Sequence, residues 1–254
     1  MFRLPVSGAE VALRAPDGAD DMLLQEAVGG PIEVGLLLLA QLAGAGDRDR
    51  DWAGLTVTDF EFLLLSLRAA RFGERLELGF ACPGCHARAE VGFRIADYLA
   101  AVRPHAFPGV TQDAARPGWF RLDAAGFRLP TAGDQAAVAR LAHPARRLAE
   151  RCLDEAARQA PHRARVERAM AAMAPEVSRP IAGTCPSCDA AVEAPLHVTR
   201  VVVAELRRAA GMVHDDVDLI ARAYHWPEAV ILALPQDRRR AYAERIRRAP
   251  AQAA

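Results

Sequence analysis

Apolar and polar positions along this chain keep two rhythms, one helical and one alternating. Residues 4–14 read as a strand, with Val11 and Leu13 apolar and Arg14 outward. Asp17-Gly18 is a turn. Residues 19–28 read as a helix, with Asp20 and Asp21 suited to its positive N-terminal end; Gly29-Gly30 stop it. Pro31 opens a second helix over 31–43 that is apolar enough to require burial. The alternating charges of 44–51 mark a solvated loop. Thr58 followed by Glu61 reads as a capping box opening a helix that runs to Phe72 and ends at Gly73. Apolar residues cover most of that helix, which predicts a central position. Its Asp59, Glu61, Arg68 and Arg71 read as capping, i,i+3 and solvent-facing pairs, not as an acid–base set.

Strand-like runs then flank two short turns, at 76–81 with 89–93, and at 180–184 with 191–196. Between them the pattern predicts a short helix near 95–102 and a Pro- and Gly-rich loop over 103–118. A β-hairpin follows, 119–122 with 127–129, and then helices near 134–141, 144–158 and 162–173, broken at Pro144 and Pro161. These helices are rich in Ala and Arg, but Glu150, Asp154, Glu155 and Glu167 interleave, as on a solvated face. Residues 196–209 read as a strand turning into a helix. Val213, Val217, Ile220 and Tyr224 then fall at helical spacing. Pro227 and Pro235 each start a further helix. Tyr224, Trp226 and Tyr242 form either a small core or a docking surface. The basic run Arg238-Arg239-Arg240, with Arg245, Arg247 and Arg248, reads as a solubilising end.

Composition narrows the function classes. The 254 residues suffice for one large domain or two small ones, and 52% hydrophobic with 25% charged residues is a globular balance. Lys+Arg and Asp+Glu both number 32, so no net charge favours nucleic acid or membrane as a partner. Lys and Asn are absent, which fits the codon bias of a GC-rich genome and removes any special meaning from the Arg-only basic set. No apolar run at the start resembles a signal peptide, and the longest apolar stretch is far short of a membrane span. The expected location is the cytoplasm.

The chemistry sits in Cys82-Pro83-Gly84-Cys85 and Cys185-Pro186-Ser187-Cys188. Each C-P-x-C turn between strand-like runs presents two sulfurs to one ion, and two such turns make a tetrahedral Cys₄ site. Residues 86 to 184, 99 in all, lie between the pairs, where an ordinary ribbon has about 15–20. The stretch therefore reads as an insertion between two halves of one ribbon. The expected cofactor is structural Zn²⁺, with iron or a disulfide pair as alternatives. Four thiolates leave no open position for water or substrate, so the metal is expected to hold the fold and not to catalyse. His86 and His197 lie near the turns and read as surface histidines. Cys152 is left over and reads as a small buried or half-buried residue. No phosphate-binding Gly loop, nucleophile motif or open metal site is visible, and His214-Asp215 reads as a helix-start surface pair; no enzyme is expected.

The expected fold class is α+β, mostly helical: a split zinc ribbon of two C-P-x-C hairpins, a long mixed insertion and a C-terminal helical unit. The expected parts are an N-terminal strand and helices over 1–55, a ribbon core over 56–99 plus 180–204, an inserted hairpin and helical arm over 100–179, and a helical unit over 205–254.

Thr56-Val57-Thr58-Asp59-Phe60-Glu61-Phe62-Leu63-Leu64-Leu65-Ser66-Leu67-Arg68, then Phe72-Gly73-Glu74, then Cys82-Pro83-Gly84-Cys85 resembles the block found in baseplate proteins of contractile-tailed phages and related contractile injection systems. The run from Asp216 to Pro235, followed by Arg239-Arg240-Ala241-Tyr242, is similar to the tail of small proteins encoded in such clusters. The resemblance covers about residues 56–95 and 180–246 and implies a non-enzymatic component or assembly chaperone of the baseplate hub. It implies hub or spike proteins as partners; the charge balance, the short apolar runs and the missing catalytic motifs separately lead to the expectation of no membrane, no small-molecule substrate and nucleic acid disfavoured. The alternative reading is a zinc-ribbon adaptor acting on nucleic acid or the transcription machinery.

Overall fold

Gly8, at φ +67°, turns the chain back on itself where a single strand over 4–14 was expected. In the computed structural model, which describes residues 1–159 and 161–248, β1 (Phe2–Arg3) pairs with β2 (Glu10–Val11). The Leu4 and Gly8 N–H groups close the turn on Ala9 O and Leu4 O. The turn leaves the Val6 and Ser7 N–H groups without strand partners, and the Asp59 carboxylate accepts both, at 2.8 and 3.1 Å. Two further helices follow, α1 (Gly18–Glu26), opened by an Asp17–Asp20 capping box, and α2 (Pro31–Leu42).

The central helix α3 spans Val57–Phe72. Its cap is Thr56, whose hydroxyl accepts the Asp59 N–H at 3.2 Å. The expected Thr58–Glu61 box does not form: the Thr58 hydroxyl donates to Pro175 O, and Glu61 is turned inward. Asp59, Glu61 and Arg68 are buried, not solvent-facing. Arg68 donates to Gly73 O and Arg75 O at 2.7 and 2.6 Å, which ties the end of α3 to the strand that follows.

That strand, β3 (Arg75–Ala81), pairs antiparallel with β4 (Arg88–Arg94), from Arg75 opposite Arg94 to Ala81 opposite Arg88. After α4 (Ile95–Ala100), β5 (Val110–Gln112), β6 (Phe120–Leu122) and β7 (Ala125–Phe127) form a three-stranded antiparallel sheet. The expected hairpin gains an edge strand from the Pro- and Gly-rich stretch, because Val110 pairs with Leu122. Its turn tightens to Asp123-Ala124, with Asp123 left-handed at φ 55°. α5 spans Ala132–Val138. The single helix expected over 144–158 is two, α6 (Pro144–Cys152) and α7 (Glu155–Arg158). Leu153 bridges to Phe127, and Asp154 caps α7 through the Ala157 N–H. α8 spans His162–Met173, the range expected after the break at Pro161. Leu122, Phe127, Leu153 and Val166 form the core of this region.

β8 (Ile181–Thr184) and β9 (Ala191–Ala194) are the second turn's strands, and α9 (Val198–Ala210) is helical from its start. α10 (Val213–Tyr224), α11 (Glu228–Leu232) and α12 (Gln236–Arg248) end the described chain. About half of the residues are helical and the sheets are small and antiparallel. Among the described residues no helix is long and apolar enough to cross a membrane.

Two compact units result. Among the described residues, one comprises Phe2–Glu10 and Asp51–Val202; the other comprises Val11–Arg50 and residues 203–248. In the second, Ile220, Ile231 and Ala243 form a core on which Trp226 and Tyr242 pack. Tyr224 stacks on Trp226 at 5.3 Å and Tyr242 meets both rings edge-on at 5.7 and 5.2 Å; Trp226 and Tyr242 pack on the core, whereas Tyr224 is exposed. Arg239 departs from the expected solubilising run: it is fully buried and ion-paired with Asp21, and Asp216 lies 4.0 Å from its Nε. Arg247 pairs with the other oxygen of Asp216 at 2.9 Å. Gly18 leaves room for that guanidinium, since a Cβ there would come within 2.5 Å of it. Residues 249–254 of the expected C-terminal unit lie outside the described residues.

Candidate metal centre

The two C-P-x-C turns are built alike. In the first, the Cys82 N–H donates to Ala87 O, and the His86 N–H donates to Cys82 O, each at 2.9 Å; in the second, Cys185 with Ala190 and Asp189 with Cys185 repeat both bonds at 2.9 Å. The residue after each second cysteine is left-handed, His86 at φ 59° and Asp189 at φ 56°. That twist turns the chain back into β4 and β9 and leaves both sulfurs of each pair on one side. Cys82 and Cys185 are buried; Cys85 and Cys188 are exposed.

The sulfurs of Cys82, Cys85, Cys185 and Cys188 all lie within 4.8 Å of one another. Cys82 Sγ is 3.8 Å from Cys188 Sγ, and Cys85 Sγ is 3.7 Å from Cys185 Sγ. The first cysteine of each turn thus meets the second of the other, a local two-fold arrangement. The four cysteines can hold a metal ion, and the geometry fits one. Four sulfurs each about 2.3 Å from a tetrahedral ion would stand about 3.8 Å apart. A disulfide needs about 2.05 Å, and all five cysteines are free.

Electrostatics point the same way. The Cys85 and Gly84 N–H groups, the latter 3.4 Å from Cys82 Sγ, draw the Cys82 thiol down to about 7. At Cys188 the Ala190 N–H favours the thiolate, but crowding by the Cys85 and Cys185 sulfurs outweighs it and pushes the thiol up to about 12. One thiolate forms readily here, whereas four cannot share so small a volume without a cation among them.

The two hairpins remain separate two-stranded sheets, with no ladder joining β3–β4 to β8–β9 among the described residues. They meet instead through an apolar contact of Cys82, Cys185 and Val192, with Phe80 packed against it. A Cβ at Gly183 would stand 3.4 Å from Val91, so the hairpins also approach closely along their strands. His86 and His197 are exposed and outside the sulfur cluster. Cys152 is buried, and burial pushes its thiol up to about 11, which makes it a poor nucleophile.

Sequence reasoning overlooked the left-handed role of His86 and Asp189. The signal was available in the parallel runs Cys82-Pro83-Gly84-Cys85-His86-Ala87 and Cys185-Pro186-Ser187-Cys188-Asp189-Ala190. It also overlooked Asp134, which accepts a fork from Arg128 and a bond from Arg151 at 2.9 Å. Comparison with family models, curated proteins and solved structures finds no match for this chain.

Proposed function

We propose that Cys82, Cys85, Cys185 and Cys188 bind one Zn²⁺ as a closed structural centre, making a split zinc ribbon. In this reading the chain is a non-enzymatic structural or assembly protein of the baseplate hub in a contractile phage tail or injection system. The observation that carries the metal reading is the 3.7 and 3.8 Å spacing of sulfurs drawn from turns about a hundred residues apart. Zinc in such a site supplies folding free energy, because the ligands converge only in the folded chain. The protein's own contribution is to aim two thiol pairs at one point and to neutralise part of their charge with N–H groups.

The baseplate reading rests on the resemblance of the Thr56–Arg68 block, with Phe72-Gly73-Glu74 and the first C-P-x-C turn. Its physical support is continuity: α3 leads through Gly73 into β3, and Arg68 fixes that junction. The resembling residues therefore form one continuous helix–hairpin piece that ends at the cysteine cluster. Co-expression with the hub and spike proteins of the same tail cluster tests the assignment. Stable co-purification and loss of particle assembly on deletion are expected. Normal particles from a deletion strain would overturn it, and a salt-sensitive shift of DNA or RNA at low salt would favour the nucleic-acid adaptor instead.

A further inference from the structure

A second site lies in the unit formed by Phe2–Glu10 and Asp51–Val202, in a cleft of about 390 Å³, within the size range of small-ligand pockets. Its walls are apolar, contributed by Val57, Leu148 and Met170. Its polar side carries the carboxylates of Glu61, Glu167 and Glu176 beside the Thr58 and Ser178 hydroxyls and the Gln135 amide. Glu61 forms the inner end and is only 3% exposed. Its carboxylate is held by the Ser178 N–H and hydroxyl at 3.0 and 2.6 Å. Gln135 also lines the cleft, and its Oε1 is buried without a hydrogen-bond partner. Glu176 also lines the cleft and is exposed. Glu167 is already paired with Arg163 at 2.8 Å. No Arg or His lines the cleft among the described residues.

From this arrangement we infer that the cleft binds a cationic alkyl group, an alkylguanidinium or alkylammonium. Its chain would lie against Leu148 and Met170, and its charged end would face Glu61, Glu176 and the free Gln135 oxygen. The match is one of chemistry on both sides. The Thr58 and Ser178 hydroxyls already donate, to Pro175 O and to Glu61, while the Gln135 Oε1 has no donor, so a donor-bearing cation suits this lining. Desolvation, with a smaller contribution from Glu176, holds the Glu61 carboxyl above the usual range, and a bound cation would relieve both. A basic side chain on a partner segment and a free small amine present the same chemistry. No sulfur ligand lines the cleft, so this inference stands or falls apart from the metal.

Titration of the full metal-bearing chain with n-butylguanidine, n-butylamine and neutral n-butylurea, followed by calorimetry and NMR, tests it. Saturable binding of the two cations, at least about tenfold tighter than the urea, is expected. Glu176→Gln should weaken it about fivefold or more, and Ala171→Trp, on the exposed side of α8, should block it. Acetyl-arginine methylamide separates the sources: binding as tight as free butylguanidine supports a partner's side chain, and exclusion of the peptide form supports a free amine. No cation binding up to about 10 mM, equal affinity for the urea, or unchanged affinity in Ala171→Trp would overturn the inference.

Discussion

Cys82 Sγ lies 3.8 Å from Cys188 Sγ although 106 positions separate them in the chain. Backbone hydrogen bonding does not explain this approach, because the two hairpins share no ladder among the described residues. The sulfurs and a small apolar contact are what join them. Losing a metal ion bound there should therefore loosen this junction first. Cys82→Ser or Cys185→Ser, at the buried positions, should abolish stoichiometric metal and lower the melting temperature by about 10 °C, as expected for a loss of about 3 kcal/mol or more in a chain of this size. Calorimetry with metal analysis reads both.

His86 is left-handed and exposed, outside the sulfur cluster. His86→Ala should keep full metal stoichiometry. His86→Gly and Asp189→Gly should keep it too and stabilise by up to about 1 kcal/mol, since glycine adopts positive φ at no steric cost. Loss of metal in either histidine variant would make His86 a ligand.

Two buried carboxylates in the same unit should bend stability with pH in opposite directions. Burial alone would raise Asp134, but bonds from Arg128, Arg151 and the Thr131 N–H outweigh it and hold its carboxyl well below the usual range. Its contribution is present above about pH 4 and is lost as pH falls toward the lower folded value. Glu61 is raised by desolvation, so the folded state keeps its proton to higher pH than the unfolded chain. Its contribution is full below about pH 4.3 and falls as pH rises through the folded value. Urea midpoints across pH 3–7.5 should show the penalty of Asp134→Asn, about 3 kcal/mol at neutral pH, shrinking in acid. The advantage of wild type over Glu61→Gln should shrink with rising pH. Slopes of the same sign would contradict the assignment.

Arg239 is 1% exposed and paired with Asp21. Arg239→Ala leaves Asp21 and Asp216 buried without that cation and should cost about 3–5 kcal/mol. Gly18→Ala should also destabilise, by about 1–3 kcal/mol, because its Cβ would meet the same guanidinium and Leu232 O at 2.7 Å. Combined, the two changes should fall only slightly short of their sum, because the guanidinium contact is lost but those with Leu232 O and Cα at 2.7 and 2.8 Å remain. Denaturant melts of the single and double variants measure this coupling.

What was legible in the sequence was local. The C-P-x-C spacing announces a thiolate pair whatever surrounds it, and α8 was readable because Pro161 marks its start in an Ala- and Arg-rich run. What was not legible was decided by distant partners. The Thr58–Glu61 pattern is indistinguishable from a true capping box until Ser178, 117 positions away, takes the carboxylate. The strand expected over 4–14 is bent by a turn whose N–H groups need Asp59. Nothing within Arg238-Arg239-Arg240 tells which arginine meets Asp21. β5 exists only because β6 offers an edge to three residues in a Pro- and Gly-rich stretch.

Metal analysis with X-ray absorption on the purified full chain tests the central claim most directly. One zinc per chain, bonded to four sulfurs at about 2.3 Å, is the predicted result. Absence of stoichiometric metal, or a first coordination sphere with fewer than four sulfurs, would contradict it.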